Sequence, residues 1–293
     1  MDFERRKAWA GRLFVLPWVI GAAIFFFYPL IQSLYFTFNE MDFLPQGGFE
    51  LTRVGLTNYS DALFRDAYFL ENLVEAIQEI AISLPLILLF SLFAAVLLNM
   101  PLKNRGLIRM VFFVPVVMTS GALFYLMLPD RGGAAGAGSN LMLGNMNMEF
   151  MLSQIIHNQS MVETITNAMD QVFDIIWRSG IQTLLFLAGL QSISPSLYEC
   201  ASVEGASAWE KYWKITVPLV SPIILVNIVY TVVDTFSDYG NSMLRYVLNV
   251  TFSQLRFTYG TTMAWLYFLT MAAILGLLFF IISKFVFYTD EDK

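Results

Sequence analysis

Polar side chains set inside long apolar runs are the first candidates for chemistry in this sequence, because an unpaired charge in hydrocarbon is costly. Arg178 and Gln182 stand one helical turn apart in one such run. Asn227, Tyr230 and Asp234 lie in another, roughly on one helical face, with Asp238 a turn beyond. Amide, phenol and carboxylate together offer donors, acceptors and an aromatic plane, which is what a hydroxyl-rich solute needs. A structural reading stays open beside this one: Asp234 can pair with Arg178, or with a base on a partner chain, and hold a helix bundle together. A membrane-embedded aspartyl hydrolase fits poorly. That chemistry needs two aspartates on facing helices, and the remaining acids cluster at the ends of the apolar runs, so no catalytic residue is assigned.

Residues 196–218 carry a different kind of chemistry. This polar segment holds Glu199, Glu204, Glu210, Lys211 and Lys214 between two apolar runs, so it must lie in water. Its residues predict a short helix from Ser196 to Glu204, an interruption at Gly205, and a second short helix from Ser207 to about Ile215. Trp209, Tyr212 and Trp213 would give the second helix an aromatic face, and Glu210 would pair with Lys214 one turn on. Pro218 and Pro222 then open the next apolar helix, where a first turn tolerates proline. An ordinary amphipathic loop between membrane spans would look similar.

The composition says what must position these groups. Apolar residues make up 57% of the 293 and charged residues only 14%, with a mean hydropathy of +0.61, which points to a polytopic membrane protein. A net charge of -6 argues against a nucleic-acid binder, which would show a basic face. One cysteine, Cys200, and one histidine, His157, exclude an internal disulfide framework and a Cys- or His-based metal site. Gly132 to Gly138 is nearly all Gly and Ala, but without the Gly-Lys-Ser/Thr of a phosphate cradle it reads as loop.

The pattern predicts an all-α chain with six membrane spans in a single domain over residues 1–293, at about 13–38, 75–98, 107–128, 173–191, 219–236 and 261–288. The first run is too long for a cleaved signal, and Pro29 should kink it. Residues 39–72 read as an external loop with short interfacial helices. Lys103 and Arg105 in a short turn, the basic N-terminus, and Lys211 and Lys214 fall on one side, which would be cytoplasmic and would hold both termini.

Glu199, Ala201, Gly205, Ala206, Ile215 and Pro218 stand at the spacing of the EAA loop of ABC import permeases, with Cys200, Glu204, Tyr212 and Val217 as mild departures. The segments FVLPWVIGAAIFFFYPLIQSLYFTFNEMDF, LLNMPLKNRGLIRMVFFVPVVM, LFLAGLQSISPSLYE and YTVVDTFSD are likewise similar to carbohydrate-type permeases of the maltose and glycerol-phosphate importer group. The resemblance implies a type I importer permease fold. It also implies a coupling helix that docks on a cytoplasmic ATPase, through Glu199, Ala201, Glu204, Gly205, Ala206, Trp209, Tyr212, Ile215 and Pro218. The implied partners are a second permease, two ATPase subunits that bind ATP and Mg, an external solute-binding protein, and a carbohydrate, within membrane lipid. The chain itself carries no Walker motif and would hold no cofactor. Rival readings are a membrane scaffold or sensor that recruits a cytoplasmic partner, and a permease for another polar solute.

Overall fold

The computed structural model describes residues 3–44, 47–100, 158–238 and 240–284, with the single positions 106, 110, 154 and 286. The span expected at 107–128, the Gly-Ala stretch after it and the acidic tail lie outside the described residues. The chain divides into two units, residues 1–74 with 243–270 and residues 75–242 with 271–293.

In the first unit, α1 (Phe3–Ala22) runs through a π turn (Ala23–Phe27) into α2 (Tyr28–Phe36). Pro29 explains the π turn. Proline has no N–H and its ring crowds the carbonyl four residues back, and one widened turn relieves both. Phe14, Trp18 and Phe25 of this rod are 90%, 74% and 83% exposed, so its solvent is hydrocarbon. Of the segment 39–72, expected as a loop with short helices, the first part forms an antiparallel hairpin of β1 (Asn39–Phe43) and β2 (Phe49–Arg53). The reason lies in an alternation of period two that pairs Met41 with Leu51 and Phe43 with Phe49 on one face. A short helix, α3 (Thr57–Phe64), follows. Its buried Asn58 donates to the carbonyls of Thr37 and Asn39, both at 3.1 Å, and so ties α3 to the root of the hairpin.

Next comes α4 (Ala67–Asn99), which starts eight residues before the span expected at 75. Asp66 caps it by accepting the Phe69 N–H at 3.0 Å. The same carboxylate accepts the hydroxyls of Tyr246 at 2.9 Å and Tyr259 at 2.8 Å, from segments far along the chain.

In the second unit, α5 (Gln159–Arg178) ends at Ser179, and α6 (Gly180–Ser192) begins afresh. The fourth span, expected as one helix over 173–191, is therefore broken. At 13 residues α6 is about 20 Å long, short of the roughly 30 Å hydrocarbon core. After α6 come α7 (Pro195–Val203), α8 (Ala208–Lys211), a π turn (Tyr212–Thr216) and α9 (Val217–Ser237). The last three form one continuous rod, so the short helix predicted up to Ile215 is the base of the fifth span, and Pro222 sits inside α9. After α9 the chain re-enters the first unit, where α10 (Ser242–Leu248) passes through a π turn (Asn249–Ser253) to α11 (Phe257–Ile282), the helix that stands where a span is expected at 261–288. Among the described residues, Gly11–Phe36, Ala67–Asn99, Ala208–Ser237 and Phe257–Ile282 are long and apolar enough to cross a membrane.

The core of the second unit joins Ala95 and Leu98 of α4, Phe186, Leu187 and Leu190 of α6, and Val220 of α9. Gly189 allows α6 and α9 to meet closely, since a Cβ there would lie 2.8 Å from the Ile223 side chain.

Asp66→Ala removes a helix cap and the acceptor for two phenols. We expect it to cost about 1.5–3 kcal/mol, read as a lowered thermal unfolding midpoint in detergent micelles. Partial burial, then the Asp66 carboxylate, pushes the Tyr246 hydroxyl from 10 up to about 12. The raised value means a contribution to stability that is complete below pH 10 and lost as pH climbs through about 12. A tyrosinate difference titration of the wild type against Tyr246→Phe should therefore show no ionisation of this residue near pH 10.

Candidate functional site

The polar segment is built as a clip with two arms, α7 and the rod that starts at α8. Gly205 makes the turn at φ +80°, a left-handed conformation that favours glycine. Around it the Gly205 N–H bonds the Ser202 carbonyl at 3.1 Å and the Ala206 N–H bonds the Ala201 carbonyl at 2.9 Å. This is the Schellman pattern that closes a helix and satisfies its last carbonyls. Ser207 then opens α8 with a capping box, its hydroxyl accepting the Glu210 N–H while the Glu210 carboxylate accepts the Ser207 N–H. Glu210 also pairs with Lys214 at 3.3 Å, the contact expected one turn on.

The arms are tied across the clip. Lys211 donates to the Ser202 hydroxyl at 2.6 Å, and Tyr198 and Thr216 share a hydroxyl bond at 2.9 Å. Glu199, Glu204 and Gly205 are exposed, Ala201, Ala206, Tyr212, Ile215 and Pro218 are half-buried, and Cys200 is a free, exposed thiol. Trp209 and Trp213 stack edge to face at 5.5 Å while remaining 70% and 50% exposed. An aromatic pair left open on a polar segment suits a protein partner.

The second set of candidate residues gathers on α4, α5, α6 and α9. Arg178, with 14% of its side chain exposed, is held by carboxylates from three directions. Its Nη1 bonds Glu79 at 3.1 Å, its Nε bonds Asp174 at 3.1 Å, and its Nη2 bonds Asp238. The pairing of Arg178 with Asp234 left open by the sequence is thus replaced by contacts to these three acids, because each nitrogen of the planar fork meets an oxygen placed by a different segment. Asp234 lies within electrostatic reach of Arg178 and of Tyr230 one turn earlier on α9.

Gln182 and Asn227 are fully buried elsewhere, in the seam between α6 and α9. Gln182 donates to the Thr231 hydroxyl at 3.1 Å, and Asn227 donates to the Gln182 carbonyl oxygen at 3.5 Å. The candidate path residues therefore separate into an ion-pair cluster with Tyr230 and an interhelical lock. Glu79 and Asp174 are the members of the cluster that sequence reasoning missed. Glu79 was visible as an acid near the start of an apolar run, but nothing local links it to a guanidinium 99 positions away. Among the described residues, no group of three or more His, Cys, Asp or Glu is placed to hold a metal ion.

Known proteins share this architecture. The family model described as binding-protein-dependent transport system inner membrane component matches residues 174–291, which include the clip, α9 and α11. The chain is 25% identical over 305 residues to the probable ABC transporter permease protein YesP of Bacillus subtilis (strain 168), covering 99% of this chain and 95% of that one. It is 30% identical over 246 residues to the sn-glycerol-3-phosphate transport system permease protein UgpA of Escherichia coli O157:H7, covering 79% and 76%. A solved structure of a bacterial ABC transporter involved in the import of the acidic polysaccharide alginate matches the fold with a TM-score of 0.61 at 18% identity, covering 96% of this chain and 97% of that one. The chain belongs to the binding-protein-dependent transport system inner membrane component family. It is an ABC transporter permease, a multi-pass protein of the cytoplasmic membrane.

Arg178→Ala would leave three carboxylates facing one another, and we expect a loss of about 1–3 kcal/mol, below the cost of breaking a fully buried pair because water screens the part-exposed acids. Arg178→Lys, a point charge without the fork, should recover only part of the thermal midpoint in detergent. At the clip, Gly205→Val must adopt a left-handed backbone at about 1–2 kcal/mol. Hydrogen exchange at the Ala206 amide should speed up accordingly, and less so in Gly205→Asn.

Proposed function

We propose that this chain is one permease subunit of an ATP-driven, binding-protein-dependent importer and forms half of the translocation path for a carbohydrate, an oligosaccharide. In this reading the bundle has six spans and the type I importer fold, with both termini cytoplasmic. It pairs with a second permease. Two ATPase subunits bind ATP and Mg and dock on the clip, through Glu199, Ala201, Glu204, Gly205, Ala206, Trp209, Tyr212, Ile215 and Pro218. An external solute-binding protein delivers the cargo. The observation that carries the reading is the clip: a capped, preformed turn with two exposed tryptophans at the base of a membrane-crossing rod. A segment ordered before binding loses little entropy on docking, and a continuous helix can carry its displacement inward.

The path would be lined by Arg178, Asp234 and Tyr230, with Gln182 and Asn227 holding the two helices behind it. The charge there bears on the cargo. Every nitrogen of the Arg178 guanidinium already meets a carboxylate, and Asp234 adds a further acid close by. Three of the five N–H donors of that fork are committed to carboxylates, and the surplus of acid around them repels an incoming phosphate or uronate. Two of the similar proteins are named for anionic cargo, sn-glycerol-3-phosphate for UgpA and the acidic polysaccharide alginate for the transporter of known structure. The excess of acid here supports an uncharged sugar, whose hydroxyls donate to carboxylates.

Purification from native membrane in detergent should recover a second permease and ATPase subunits, with ATP hydrolysis raised by a binding protein loaded with a neutral oligosaccharide. Recovery of the chain without an ATPase would sink the importer reading. Stimulation by phosphorylated sugars or oligouronates alone would overturn the cargo.

A further inference from the structure

The clip has two arms, and the turn between them is short. Residues 204–207 around Gly205 form a single left-handed bend, secured by main-chain bonds local to the turn. Were the turn the whole connection, α7 could swing on it without moving the rod. Two side-chain hydrogen bonds cross from arm to arm. The outer one, Lys211 to Ser202, joins two hydroxyl- and ammonium-tipped side chains in water, and exposed contacts of this kind contribute little.

The inner one is different. Thr216 is only 7% exposed and Tyr198 is half-buried, and their hydroxyls meet at 2.9 Å. Thr216 in turn donates to the carbonyl of Lys211 at 3.4 Å, across the π turn. The three groups form a chain in which the Tyr198 hydroxyl donates to Thr216 and Thr216 donates to the main chain of the rod. The anchoring point also has mechanical meaning. Thr216 closes the π turn immediately before α9, two residues ahead of Pro218, whose missing N–H leaves the helix locally short of a bond. A helix is most easily tilted at a π turn or a proline, and the phenol of Tyr198 lands on the site where both coincide.

We propose that the Tyr198–Thr216 hydroxyl pair is the strut through which displacement of α7 reaches α9, which makes Tyr198 and Thr216 positioning residues for coupling. This rests on the reading of the clip as the ATPase-docking segment. Tyr230 and Asp234 lie on the order of 20–27 Å along the same rod from Thr216, at 1.5 Å per residue. A tilt applied at Thr216 therefore moves the candidate path residues, while a movement confined to α7 would not.

The test uses the complete transporter, with its own second permease and ATPase subunits, and hydrogen exchange with and without ATP and vanadate. No cargo is required. In the wild type, nucleotide trapping should change exchange in peptides over 195–203 and in peptides over 217–237. In Tyr198→Phe the first change should persist, and the ratio of the second to the first should fall about two- to tenfold, the range spanned by one net hydrogen bond. Thr216→Ser keeps the hydroxyl and should keep the ratio, whereas Thr216→Val matches the shape, lacks the hydroxyl and should lower it. A merely structural role would shift both regions together in both threonine variants. An undiminished ratio in Tyr198→Phe and Thr216→Val would overturn the strut while leaving the docking assignment in place. No nucleotide-dependent change at 195–203 in the wild type would instead overturn the docking assignment, and the strut with it.

Discussion

A single guanidinium organises the second unit. Arg178 cannot lose its proton at any accessible pH, so a cation at the end of α5 must be neutralised wherever the chain puts it. The carboxylates that do so come from α4, from one turn earlier on α5, and from the segment just past α9. Three elements distant in sequence are thereby fixed at one point. The break at Ser179 belongs to the same arrangement, because α5 ends where its last side chain turns to the acids, and α6 can then follow its own axis along α9.

Hydrocarbon as solvent explains much of the rest. With no water to take up an orphaned main-chain group, each proline in a span needs a local remedy. Pro29 and Pro218 both lie immediately beyond a π turn. Exposed aromatic and aliphatic side chains along the rod of α1 and α2 cost nothing against lipid, so the polar contacts concentrate where helices meet or where the chain leaves the apolar runs. Asn58, Asp66 and Arg178 each collect several partners, and each sits at such a junction.

Local signals were legible in the sequence and long-range ones were not. The interruption at Gly205, the Glu210–Lys214 pair and the Trp209–Trp213 contact follow from spacings of a few residues, and the structure has all three. The hairpin at 39–53 was also written locally, in an alternation of period two, but its acids made it look like loop. The start of α4 at Ala67 depends on the Asp66 cap, whose other partners, Tyr246 and Tyr259, lie far along the chain. The break at Ser179 has no proline to announce it. That Arg178 would choose Glu79, Asp174 and Asp238 over Asp234 is decided by how three segments pack, and no spacing encodes it.

The π turn at Tyr212–Thr216 sets a rotational phase. It holds one residue more than an α-helical turn would, and each residue rotates a helix by about 100° and advances it by 1.5 Å. The direction in which Tyr230 and Asp234 point is therefore indexed to Trp209 and Trp213 through that one added residue. A chain that lost it would keep the same span, prolines and charges, yet would present a different face of α9 for the same orientation of the clip.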